Sequence, residues 1–401
     1  MKTEYEYIVV GLGGIGSAAA YWLARRAGSE VLGLEQFELG HERGASQDHS
    51  RIIRLSYHSP TYVALAQRAY QTWAELEADA GEPLIVATGG LDLWPPEGET
   101  PIEDYTRSLR ACAVGFEVWG AEEIAARWPQ FHLRPGTVGL WQEASGIVAA
   151  ARCNSAHQRL ARGQGAALRT NAAVTSLRSR GDEVEVTTED GVFHSARVVV
   201  AADAWTNQVL APLGVKLPLR ITQEQVAYFS VDEPGDFGPD RFPIWIWMGE
   251  PSFYGFPVFG EAGIKVGQDL GGREVTTASR TFETDRAALG RVEEFLRAHL
   301  PGAHGPVLYT KSCLYTMPPD RDFIVDFVPG HPNVLVAQGA AHAFKFASLL
   351  GRILSELAID GSTDVPVEAF SIARPALVRP PTAWPGAEET DQATPAVGGL
   401  M

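Results

Sequence analysis

Tyr5 to Val10 is a short apolar run with β-branched residues, and it stops at Gly11-Leu12-Gly13-Gly14-Ile15-Gly16. The pattern predicts a strand and then a tight turn. Ile15, Ala18, Ala19, Trp22 and Leu23 follow at helical spacing and predict a single apolar stripe packed on a sheet. Val31 to Leu34 predicts a second strand, ending in an acid at Glu35. Thr61 to Asp79 predicts a surface helix through Val63, Tyr70, Trp73 and Leu76, with Gly81 as its stop. Residues 91 to 142 mix short strands with a helical stretch near 101 to 113 and read as an excursion into another domain. Residues 183 to 202 alternate as strands around Asp190-Gly191, and the run from Arg197 to Ala202 suits a buried position. Between Leu217 and Tyr315, alternating segments carry Phe242, Trp245, Trp247, Phe253, Tyr254 and Phe256 and predict a mixed sheet with a pocket. Asn333 to Gln338 predicts another strand, and Phe346, Leu349, Leu350, Ile353, Leu354 and Leu357 trace a helical face closed by Gly361. Beyond Pro375, repeated Pro, Gly, Ala and acidic residues predict an extended tail, because burial there cannot offset the entropy of ordering.

The fold class is therefore α/β in the mixed α+β sense. A discontinuous Rossmann-like nucleotide domain takes residues 1–90, 143–217 and 318–375. A substrate domain with a mixed, largely antiparallel sheet takes 91–142 and 218–317, and 376–401 form the tail.

Composition narrows the partners. Thirty-three Lys and Arg against 49 Asp and Glu give a net charge of -16, which disfavours nucleic acid and anionic lipid. Any anionic ligand then needs locally clustered cations. Cys112, Cys153 and Cys313 are too few and too scattered for a disulfide framework or a zinc site, which points to a reducing cytoplasm and no metal. The most membrane-like stretch, Ile8 to Ala24, is broken by glycines and flanked by Glu4 and Glu6, so it reads as neither a span nor an export signal.

The fingerprint has its full context of strand, helix, second strand and terminal acid. Glycines let a pyrophosphate approach the positive helix N-terminus, and Glu35 suits ribose hydroxyls while opposing a 2'-phosphate. FAD and NAD both remain open at this point.

Further motifs decide between them by resemblance. They are Ser50-Arg51-Ile52-Ile53-Arg54, Tyr254-Gly255-Phe256-Pro257 leading to Lys265, Cys313-Leu314-Tyr315, Asp322-Phe323-Ile324-Val325-Asp326 and His342-Ala343-Phe344-Lys345-Phe346. In this order the chain, from residue 5 to about 376, resembles the monomeric sarcosine oxidase and N-methyltryptophan oxidase group of flavoprotein amine oxidases, within the D-amino acid oxidase superfamily. The resemblance implies FAD, held covalently through a thioether to Cys313. It implies that Gly11, Gly13, Gly14, Ile15, Gly16, Glu35, Ser50, Arg51, Val174, Cys313, His342, Phe344 and Lys345 bind that cofactor. Arg54 and Lys345 would hold a substrate carboxylate, with Trp245 and Asp269 also on the substrate side. Arg51 would cover one flavin face, Lys265 would promote reaction with oxygen, and Tyr254 and Tyr315 would line the pocket.

The implied reaction oxidises a secondary amine amino acid, sarcosine or another N-methyl amino acid, by hydride transfer to FAD. Imine hydrolysis then gives an aldehyde, and O2 reoxidises the flavin to give hydrogen peroxide. A small-molecule amine and O2 are the partners of a monomer. The alternatives are a dehydrogenase or oxidase of a cyclic imino acid such as pipecolate or proline, and a catalytically silent nucleotide-binding subunit.

Three departures concern the substrate side. The family's His-His-Gly-Asp-Thr is Ser46-Gln47-Asp48-His49-Ser50 here, its pocket histidine is Asp269, and its Gly-Ala-Trp is Asp203-Ala204-Trp205. Asp269 would repel an anionic substrate unless a second cation meets it, which favours a larger or more basic N-substituted amino acid.

Overall fold

The computed structural model describes residues 2–98 and 101–380. Two large sheets organise them. The first has eight strands, with Glu4–Val10 at its centre between Val31–Leu34 and Gly191–Val200, both parallel to it. His331–Gln338 pairs in parallel with Val198 to Val200 of that last strand, and the antiparallel ribbon Val174–Arg180 and Glu183–Thr188 extends the same side. Gly11 and Glu35 follow the C-terminal ends of two parallel strands and so lie at one edge of the sheet.

Gly11 leaves the first strand at φ 89, and a Cβ there would lie 2.5 Å from the Ala201 carbonyl oxygen. A Cβ on Gly16 would lie 1.8 Å from the Gly11 carbonyl oxygen, so only glycine lets the helix seat on the turn. The helix Gly14–Ala27 departs from the single-stripe expectation: Gly14 and every residue from Gly16 to Ala24 are buried. A second helical layer explains this, since Ala347–Asp360 and Ala150–Gly163 pack on its outer side. Small residues permit the approach, and a Cβ on Gly351 would lie 2.5 Å from Ala18.

The second sheet has nine strands, antiparallel except where Ile244–Trp247 runs parallel to Gly90–Trp94. Its period of two sorts the side chains. Trp247, Phe253, Ile264 and Val266 face a core shared with Val292, Phe295 and Leu296 of the helix Arg286–His299. Ile246, Tyr254, Phe256 and Lys265 face the other way. The long strand Val307–Met317 pairs with Arg220–Ser230 and adds Cys313 and Tyr315 to that second face.

Pro375–Val378 is a short helix with Leu377 buried, so the predicted tail does not begin at 376. Leu377 joins the core formed by Ile324, Val334 and Val336, an apolar anchor the tail's composition obscured. The remainder of that tail, 381–401, lies outside the described residues. Among the described residues no helix is long and apolar enough to cross a membrane, and no cluster of His, Cys, Asp or Glu could hold a metal.

Candidate active site

A cavity of about 1960 Å³ lies between the two sheets. This exceeds the roughly 300–1,000 Å³ that a drug-sized ligand occupies, and it leaves room for a dinucleotide and a second small molecule.

The nucleotide end is lined by Gly11, Gly13, Gly14, Ile15, Glu35 and Val174. A Cβ on Gly14 would lie 3.0 Å from the Phe344 ring, so the backbone itself forms the wall. Glu35 accepts hydrogen bonds from the backbone N–H groups of Leu12 at 2.8 Å and Phe37 at 3.1 Å, which fixes its carboxylate at the cavity edge. The helix carries no acid in its first turn, which leaves its positive end available to a pyrophosphate.

At the middle of the cavity stand Arg51, Lys265 and Cys313. Arg51 donates to the carbonyl oxygens of Ser50 and Ala45 at 2.8 and 2.7 Å and lies 5.8 Å from the Phe344 ring centroid. Burial pushes the Cys313 thiol up to about 11, while Arg51 and Lys265 draw it down. Burial likewise pulls Lys265 down to about 8, helped by Arg51 and opposed by Asp48. Tyr254 and Tyr315 line the wall with their phenols raised by burial, and both stay protonated.

At the far end Arg54 pairs with Asp92 at 2.8 Å, and Asp92 also accepts from the Ser56 hydroxyl at 2.5 Å. Arg321 lies 3.3 Å from Asp269. Two of the three cations here thus already have carboxylate partners. Lys345 has none among the described residues: its Nζ donates to the His342 carbonyl at 3.2 Å, and burial together with Arg54 pulls its ammonium down to about 7. His342 faces the same cavity and stays neutral, pulled down to about 3 by burial. Arg54 Nε, Arg321 Nε and the Tyr57 hydroxyl are buried donors without a partner among the described residues. Such unmet donors beside a lone cation suit a carboxylate.

Three expected site residues do not line the cavity. Trp245 is fully buried on the opposite face, stacked on Phe295 at 5.4 Å, and Ile246 faces the cavity in its place. Gly16 acts through packing under the turn. Ser50 is buried behind Lys265, whose Nζ donates to the Ser50 carbonyl oxygen at 2.9 Å. Sequence reasoning missed Tyr57, Asp92 and Arg321. Asp92 left a signal, a lone acid in the apolar strand Gly90–Trp94, whereas Arg321 left none.

A sequence profile described as FAD dependent oxidoreductase matches residues 6–357. The chain belongs to that family. Among its relatives, monomeric sarcosine oxidase of Arthrobacter sp. (strain TE1826) is 32% identical over 383 residues, covering 94% of this chain and 98% of the relative. N-methyl-L-tryptophan oxidase of Escherichia coli (strain K12 / DH10B) is 32% identical over 381 residues, covering 92% and 99%. Among solved structures, NikD, an unusual amino acid oxidase essential for nikkomycin biosynthesis, matches with a TM-score of 0.83 and 28% identity over 92% of this chain and 98% of its own. As a member of this family the protein is an FAD-dependent oxidoreductase, and the glycine cradle, Glu35 and the cavity's size fit that cofactor.

Proposed function

We propose that the protein oxidises the C–N bond of a secondary amine amino acid, sarcosine or another N-methyl amino acid, with O2 as acceptor and hydrogen peroxide as product. The observation that carries this reading is the unshared Lys345 ammonium beside the unmet donors of Arg54 and Tyr57, in a cavity walled by Tyr254, Tyr315 and Ile246. Names of the relatives support the substrate class.

Bound FAD would supply the two-electron acceptor, held by Gly11, Gly13, Gly14 and Glu35 and, in this reading, joined to Cys313. Lys345, with the free Nε of Arg54 and the Tyr57 hydroxyl, holds the substrate carboxylate. Fixing that group orients the neighbouring C–H bond and removes much of the entropic barrier. The apolar walls disfavour an ammonium, so the amine binds as free base with its lone pair available. Lys265 supplies a fixed cation near the reaction centre, suited to charge developing on oxygen.

Asp269 was the reason to expect a larger or more basic substrate. Arg321 pairs with it, which removes that repulsion and restores small N-methyl amino acids as candidates. The test is aerobic incubation of FAD-loaded protein with sarcosine, N-methyltryptophan, pipecolate and proline, read by peroxide release. Peroxide from the N-methyl compounds is expected; peroxide from the cyclic acids alone would move the assignment to them, and no turnover of any would refute it.

A further inference from the structure

Lys265 does not stand free in the cavity. Its Nζ lies 2.7 Å from Asp48 Oδ2, and both side chains are 3% exposed. The Ser50 carbonyl oxygen at 2.9 Å and its hydroxyl at 3.4 Å complete a ring of protein oxygens around the ammonium. Asp48 is held in turn: its Oδ1 accepts from the Tyr228 hydroxyl at 2.7 Å, and Tyr228 stacks on Tyr309 at 4.6 Å. Lys311 lies 3.8 Å from the same oxygen, at the rim. Tyr228 sits directly opposite Lys265 across paired strands, so lysine and phenol grip one carboxylate arriving from the other lobe.

Asp48 has φ 86, in the left-handed region that glycine favours. Aspartate is among the few side chains that adopt this conformation, and here its carboxylate is spent on Lys265 and Tyr228.

We propose that Asp48 is a positioning residue that holds Lys265 in its charged form and fixes its ammonium at the centre of the cavity. This rests on the reading of Lys265 given above. Burial and Arg51 both push Lys265 towards the neutral amine, and Asp48 is the anion that opposes them. Although burial alone pushes the Asp48 carboxyl up, Lys265, Arg51 and the Tyr228 hydroxyl hold it well below the usual carboxylate range. Cys313 lines the same cavity from the strand Val307–Met317, one strand beyond Tyr228, while His49 and Glu261 engage each other nearby. Without Asp48, Lys265 gives up its proton at a lower pH, and where it keeps the proton its charge is unbalanced.

The test uses FAD-loaded protein and the variants Asp48→Asn and Asp48→Gly, with flavin content checked by visible absorbance. Anaerobic redox titration should give both variants a flavin midpoint potential above wild type at pH 5, with the difference shrinking towards pH 7, where the variants' Lys265 has lost its proton and that of wild type has kept it. After photoreduction and mixing with oxygen, both should reoxidise at least tenfold more slowly than wild type at pH 8 and recover as pH falls. Glycine suits the backbone at this position, so a purely structural role for Asp48 would leave Asp48→Gly like wild type in both measurements, and that result overturns the proposal. Lys265→Met separates the two possible failures. Reoxidation as fast as wild type removes the lysine's role and this proposal with it; slow reoxidation beside unaltered Asp48 variants overturns the proposal alone.

Discussion

Asp92→Asn removes the anion that balances Arg54, whose side chain is only 13% exposed. Breaking a buried pair from one side costs ~3–5 kcal/mol, and water reaching Arg54 through the cavity favours the lower end, about 3 kcal/mol. Unfolding entropy of about 2.1 cal/mol/K per residue converts this, for a chain of 401 residues, into a loss of about 4 °C in Tm. The freed guanidinium also becomes an anion site. An added carboxylate then binds the folded variant preferentially and stabilises it by mass action. Thermal melts of FAD-loaded wild type and variant at pH 7, with and without acetate, read both effects. The variant should melt about 4 °C lower without acetate, the gap should narrow as acetate rises, and its KM for an amino acid substrate should fall. Equal melting temperatures, or a gap that acetate leaves unchanged, would refute the idea that Asp92 holds Arg54.

Lys345 loses its charge as pH rises through about 7, so kcat/KM should fall on an alkaline limb there. Lys345→Arg, which does not titrate, should remove that limb; a limb that persists would assign it elsewhere. Burial raises Asp203 to about 6 from 3.8, so its contribution to stability is full below about 4 and is lost as pH rises through 6. Asp203→Asn should therefore be more stable than wild type above pH 7 and no more stable at pH 4, as read by urea midpoints. Trp245→Ala should cost ~3–5 kcal/mol of stability through the cavity it opens, while KM stays within about twofold; a large KM change with little loss of stability would put Trp245 back in the substrate pocket.

Local periodicity made much of the fold legible. The glycine turn, its flanking strands and the apolar face from Phe346 to Leu357 follow from backbone rules acting within a few residues. The burial of the helix Gly14–Ala27 on nearly all sides did not, because it depends on two helices distant in sequence. Trp245 was misplaced for a related reason: Ile244-Trp245-Ile246-Trp247 is apolar at every position, so nothing in the run tells which alternate face meets the cavity. Motif resemblance located Arg51, Lys265, Cys313 and Lys345, and the structure brings all four to one cavity. Their partners were the illegible part. Asp48 and Asp269 read as disturbances of the substrate side, yet one grips Lys265 and the other meets Arg321. Pairing across lobes is set by tertiary geometry, and no spacing along the chain records it.

Acid precipitation of the protein after incubation with FAD tests the central claim most directly. A yellow pellet from wild type, with the colour left in the supernatant for Cys313→Ser, is the expected result. Polypeptide that takes up no flavin before denaturation would contradict the account.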